Sequence, residues 1–177
     1  MKEYLEAGEF VTTHGIQGEL KLYPWCDGPA FIAKLPRLFL GANGEKPVKI
    51  VGAREHKGMC LLLLDGVTSV EQARGYIGKT VYFARKDAKL PKGRYFVDDL
   101  LGATVKNADT DVVYGNIIDI SHPAAHDIYT IKDAKGETHL FPAVPEFLGE
   151  ILPQEGIVTV RPIEGMFTNK GKNDDED

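Results

Sequence analysis

Residues 4–23 read Tyr-Leu-Glu-Ala-Gly-Glu-Phe-Val-Thr-Thr-His-Gly-Ile-Gln-Gly-Glu-Leu-Lys-Leu-Tyr. Strand-forming residues crowd positions 4–12, although their alternation is imperfect, and Thr13-His14-Gly15 breaks the run. Glu19 to Tyr23 then alternates cleanly, with Leu20 and Leu22 on one face. Gly15 and Gly18, three apart, predict a tight turn with positive φ between the two strands. His14, Gln17 and Glu19 are polar groups presented at that turn.

The same grammar continues outward from this hairpin. Pro24 ends the second strand, and Pro29 to Leu35 fits a short helix with Phe31, Ile32 and Leu35 inward. Arg37 to Leu40 is a short strand before an Asn43-Gly44 turn. Val48 to Arg54 and Met59 to Leu64 form strands around His56-Lys57-Gly58. Ser69 is a candidate N-cap for a helix to Tyr76, with Gly75 and Gly78 marking its end. Thr80 to Ala84 alternates again. A polar stretch with Pro91 and Gly93 then divides the chain. Beyond it, strands are expected at Ala103 to Lys106, Tyr114 to Ile120, Asp127 to Ile131, Thr138 to Phe141 and Ile157 to Arg161, with one short helical turn at Pro145 to Ile151. Short strands at this spacing predict an all-β chain: two small antiparallel β-barrels joined by a short linker. The boundaries read 1–87 for the first barrel, 88–93 for the linker, 94–169 for the second barrel and 170–177 for a disordered acidic tail.

Composition narrows the function classes. The chain has 177 residues, 43% of them hydrophobic, enough for packed cores. Its longest apolar run, Met59 to Leu64, is far too short to span a membrane, and MKEYLEAGEF has no signal-peptide core. Two cysteines, Cys26 and Cys60, form no metal-binding pair and fit a reduced cytosolic protein with buried thiols. A net charge of −5 argues at first against nucleic acid. The distribution argues otherwise: residues 1–90 hold 13 basic and 10 acidic side chains, a net of +3, while residues 91–177 hold 8 and 16, a net of −8.

Catalytic signatures are missing: there is no GxGxxG, P-loop, GxSxG or HExxH. His122 and His126 have helical metal-ligand spacing, but Pro123 intervenes and a third ligand is lacking, so they read as loop histidines. Asp98-Asp99 fits a cap or turn better than an acid–base pair. No enzyme, cofactor or metal is expected. Three strings remain. They are His14-Gly15-Ile16-Gln17-Gly18-Glu19-Leu20, then Arg94-Tyr95-Phe96-Val97-Asp98-Asp99-Leu100-Leu101-Gly102, and Phe141 to Phe147 with Glu164-Gly165-Met166-Phe167. Consecutive aromatics on an extended segment point to opposite faces, so one of Tyr95 and Phe96 is core and the other is exposed or buried against the other barrel. An exposed aromatic beside Arg94 has the composition of a binding hot spot.

In this order and spacing the strings resemble the RimM family of ribosome maturation factors. HGIQGELKL resembles its opening signature, and Glu71-Gln72-Ala73-Arg74-Gly75 its short helix. Tyr95-Phe96 with DDLLG resembles the start of its second domain, a PRC barrel, and Ala125-His126-Asp127 through Leu140-Phe141-Pro142 to EGMF matches the rest. The resemblance covers about residues 4–168. It implies a non-enzymatic assembly factor of the bacterial cytoplasm that binds the free, immature small ribosomal subunit and its rRNA. Head-domain assembly and small-subunit rRNA processing would be its tasks. It also implies that the paired aromatics, here Tyr95 and Phe96 with neighbouring Arg94, bind small-subunit ribosomal protein nineteen. Where many members have Tyr-Tyr this chain has Tyr-Phe, which removes one hydroxyl, worth ~1 kcal/mol, and keeps the aromatic area. A Gly-Ala-x-Asp pattern common in the family is replaced by Ala124-Ala125-His126-Asp127. His14, Gln17, Lys21, Arg54 and Lys57 are the candidate contacts to RNA or subunit in the net-positive half. The expected protein is a monomer. A two-barrel RNA binder acting elsewhere in translation is the first rival; an enzyme built on His14, Glu19 or Asp98-Asp99 is the second, and a PRC-barrel protein of another type the third.

Overall fold

The computed structural model describes Met1–Thr168. The expected acidic tail, residues 170–177, lies outside the described residues, as does residue 169. The chain forms two compact units, one ending at Asp98 and the other beginning at Asp99. Residues 88–98, read from sequence as a linker and the start of the second barrel, therefore belong with the first unit. Ala88, Leu90 and Phe96 pack on its core, because apolar side chains punctuate an otherwise polar stretch.

The first unit holds β1 (Tyr4–His14), β2 (Glu19–Pro24), α1 (Pro29–Ile32), β3 (Arg37–Phe39), β4 (Pro47–His56), β5 (Met59–Leu64), α2 (Val70–Arg74) and β6 (Thr80–Ala84), followed by a 3-10 turn at Arg85–Asp87. Its strands close into a barrel in the order β1-β2-β5-β4-β3-β6. Strand β1 pairs with β6 through its first half and with β2 through its second, and register shifts at Glu6/Gly8 and Phe10/Thr12 mark the bends. These bulges account for the imperfect alternation of residues 4–12, since each extra residue flips the inward face. Gly8 stands at the crossover with φ +153°, where any Cβ would collide with the Tyr23 carbonyl oxygen. Phe10, Leu20, Leu22, Leu38, Leu62 and Phe83 are almost fully buried in the barrel core. Helix α2 begins as expected: Ser69 Oγ accepts from the Gln72 N–H at 3.2 Å, and Gln72 Oε1 accepts from the Thr68 N–H at 2.8 Å.

One helical turn, α3 (Val97–Leu100), leads into the second unit. There β7 (Thr104–Asn107), β8 (Val113–Ser121), β9 (Ile128–Lys132), β10 (Thr138–Pro142), β11 (Leu148–Leu152) and β12 (Ile157–Val160) form one sheet in the order β10-β9-β8-β7-β12-β11. All its ladders are antiparallel except β7–β12, which is parallel. Residues 145–151, expected as a helical turn, instead make a turn at residues 145–147 and then enter β11. Leu148, Ile151 and Leu152 find ladder partners on β12, and Gly149 lets the strand lie closer to Thr159 than a side chain would allow. Phe141 of β10 and Phe147 before β11 meet edge to face at 6.2 Å, so ring contact links the two ends of the sheet. Phe167 stacks on Tyr114 at 4.1 Å and lies 5.9 Å from Phe141, giving the EGMF ending a packing role.

Candidate functional site

On the first unit, the outward positions of β2 are Glu19, Lys21 and Tyr23, because Leu20 and Leu22 point inward. The register Lys21↔Leu61↔Arg54 continues that outer face across β5 onto β4. Leu61 faces outward with them, yet is 0% exposed. The explanation lies in the twist. His14 pairs with Glu19 across β1–β2, and His56 pairs with Met59 across β4–β5, which places the two histidines at opposite corners of this four-strand patch. Their rings nevertheless lie 5.3 Å apart. A strongly twisted sheet is saddle-shaped and becomes concave along one diagonal. Here that diagonal runs from His14 to His56, with Lys21 and Leu61 at its centre, so the face folds over Leu61.

The rim of this concavity is cationic. Arg54 donates Nε and Nη2 hydrogen bonds to the two Glu19 carboxylate oxygens, each at 3.3 Å. Partial desolvation, followed by the charges of His14, Lys57, Lys21 and Arg54, holds the His56 imidazole below its ordinary pKa. Lys57 and Gly58 both have positive φ, +49° and +76°, the signature of a two-residue hairpin turn. Lys57 is a non-glycine residue held in that region, so its position is fixed by the turn. Gln17 is exposed in the β1–β2 turn beside Ile16, which is 85% exposed. Four of the five residues singled out from sequence for RNA contact thus converge here, and Gln17 sits in the turn beyond His14. His56 was missed; its spacing of two from Arg54 on an alternating strand would have found it. Tyr23 of β2 and Trp25 just past its end were missed as well, and they are 50% and 43% exposed.

The aromatic pair separates as alternation requires. Phe96 is 8% exposed, with its ring 5.6 Å from Phe83 and 6.3 Å from Phe31, and the Arg85 guanidinium 5.1 Å above it. Tyr95 is half-buried and Arg94 exposed. Phe96 therefore acts as core of the first unit, and Tyr95 with Arg94 carries what the segment presents to solvent. Asp98 pairs with Lys2 at 3.2 Å.

In the second unit, His122 Nδ1 bonds Asp127 at 2.9 Å and His126 is exposed, as loop residues. Asp133, Glu137 and His139 bring their polar atoms within 4.8 Å of one another. The arrangement staples a hairpin: Asp133 accepts from the backbone N–H groups of Lys135 and Glu137 and bonds His139 Nε2 at 2.9 Å. An open groove of about 740 Å³ runs beside it, lined by Tyr114, Asn116, Asp133, Glu137, His139 and Phe167. Neither cysteine is placed for nucleophilic work. Burial pushes the Cys26 thiol up to about 12 and the Cys60 thiol up to about 11.

Both units have counterparts in sequence. The family model of the RimM N-terminal domain matches residues 5–88, and that of the RimM PRC barrel domain matches residues 97–166. The chain belongs to the RimM family. A ribosome maturation factor RimM of Clostridium botulinum is 35% identical over 165 residues, covering 93% of this chain and 97% of its own. That of Lactobacillus gasseri is 31% identical over 169 residues, covering 94% and 98%. A crystal structure of a RimM protein from Pseudomonas aeruginosa aligns over 89% of this chain and 96% of its own length, at 23% identity and a TM-score of 0.44. RimM membership fits the all-β pair of sheets. Among the described residues no helix is long and apolar enough to cross a membrane.

Proposed function

We propose that this chain is an assembly chaperone of the bacterial small ribosomal subunit. It binds the free subunit and small-subunit ribosomal protein nineteen, and promotes head-domain assembly and rRNA processing. It works as a cytoplasmic monomer, without catalysis. The observation that carries this reading is the match of both RimM domain models, in order, along a chain aligned nearly end to end with proteins named ribosome maturation factor.

Charge supports a division of labour. The concave cationic face of the first unit suits rRNA phosphate, and half-exposed Tyr23 and Trp25 offer surfaces on which bases stack. The acidic second half suits a basic ribosomal protein, where opposite charge speeds encounter and fixes orientation. Tyr95 and Arg94 supply the anchor, with Phe96 holding their segment from beneath. Sucrose-gradient fractionation of cell extract tests the main reading. The protein is expected to co-migrate with free small subunits and not with whole ribosomes; an even spread, or no enrichment on subunits, refutes it. Tyr95→Ala tests the anchor. By calorimetry its affinity for ribosomal protein nineteen is expected to fall about tenfold or more, and unchanged affinity removes Tyr95 from the interface.

A further inference from the structure

The corner-to-corner approach of His14 and His56 brings together groups from every strand of the concave face. His14 comes from β1, Glu19 and Lys21 from β2, Arg54 and Glu55 from β4, and Lys57 from the β4–β5 turn. Strand β5 contributes Met59 and buried Leu61, without charge. Glu19 is bound by Arg54, and Glu55 pairs opposite Cys60, one position out of phase with the Arg54–His56 face. The Arg54–Glu19 pairing offsets those two charges against each other, and Lys21 and Lys57 leave the surroundings of His56 net positive. The two imidazoles lie 5.3 Å apart, and desolvation with the nearby positive charge disfavours a proton on His56 until an anion joins it.

We propose that His14, Lys21, Arg54, His56 and Lys57 form a single receptor for an RNA phosphodiester group, and that seating the phosphate there takes up a proton on His56, which faces His14. The receptor rests on the reading of this face as an RNA contact, and adds the group bound, the residue His56 and the linkage to pH. The negative charge of the phosphodiester offsets the local positive potential, so the imidazolium that the free protein disfavours at His56 becomes a charge-assisted donor. Three observations support a built receptor over a scatter of surface charge. The saddle brings distant corners of the sheet together. Leu61 forms a dry floor at its centre. Lys57 is held in a left-handed backbone conformation by the turn. The depressed affinity of His56 for protons in the free protein agrees.

The sign of the pH effect follows. The bound-state pKa of His56 exceeds its free-state pKa, so RNA affinity is highest below the free-state value and declines as pH rises through the bound-state value. Each unit of difference changes affinity up to tenfold. The test is fluorescence anisotropy of a short labelled oligouridylate on the full chain at low salt, between about pH 5.5 and about pH 8. The wild type is expected to weaken about tenfold over that range. His56→Gln, which keeps a polar side chain and cannot be protonated, is expected to flatten the profile and to match the wild type near pH 8. A parallel proton-NMR titration of the wild type reads the His56 pKa directly and is expected to show it raised by the RNA. Equal slopes in wild type and variant, or an unmoved His56, overturn the proton linkage while leaving the RNA reading in place. No binding by the wild type at any pH overturns both.

Discussion

Replacing Phe96 by alanine separates a core role from a binding role. The ring is 8% exposed and touches Phe83, Phe31 and the Arg85 guanidinium. Phenylalanine-to-alanine changes in cores cost about 3–5 kcal/mol, and partial exposure at one edge puts this site near the lower end, about 3 kcal/mol. For a unit of this size, 1 kcal/mol corresponds to roughly 4–8 °C in Tm, so a drop of about 12 °C or more is expected. With an m-value of about 2 kcal/mol/M the urea midpoint should fall by about 1.5 M. The single tryptophan, Trp25, lies in the first unit, so its fluorescence follows the unfolding of that unit. Phe141→Ala in the second unit is the control: it should leave the Trp25 transition in place while lowering the far-UV signal stability of the remainder. A Phe96→Ala protein whose Trp25 transition is unshifted would refute the assignment of residues 94–98 to the first core, and would return Phe96 to the list of surface anchors.

Two further expectations follow from the same structure. Gly8→Ala places a Cβ against the Tyr23 carbonyl at a bulge with φ +153°, and should lower the stability of the first unit by about 2 kcal/mol, seen in the same Trp25 transition. Cys26 donates to the Ala7 carbonyl at 3.4 Å and Cys60 is fully buried, with their thiols pushed up to about 12 and about 11; both should label slowly with Ellman's reagent near pH 8 in the folded chain and quickly in urea.

Much of the architecture was legible because it is written in local chemistry. Glycine turns, the Ser69 cap and the alternation of Glu19–Tyr23 each act within a few residues, and each reappears in the structure. The miss at residues 145–151 has a different origin. Leu148, Gly149 and Ile151 carry no strong periodicity of their own, and they become a strand because β12, beyond the intervening turn, supplies ladder partners such as Val158 and Val160. The parallel β7–β12 ladder is likewise a decision of the whole unit. At the candidate site, alternation announced that Tyr95 and Phe96 face opposite ways, yet could not say which ring goes inward. Arg54, Lys57, Lys21 and His14 were visible as separate cations. Their convergence depends on a diagonal across four strands, which no single segment encodes, and for the same reason an outward leucine buried beneath them had no signature.

Because Phe96 completes the core of the first unit, that unit is finished by a residue translated twelve positions after its last strand. At about 5–20 residues per second, β6 emerges from the synthesising ribosome around a second before the ring that covers Phe31 and Phe83. For that interval the nascent barrel has its hydrogen-bond ladders and an uncapped apolar end. A protease or a truncation acting in residues 88–93 makes the same state permanent, so a fragment cut where the sequence looks most like a linker should be stickier and less stable than one ending after Asp98.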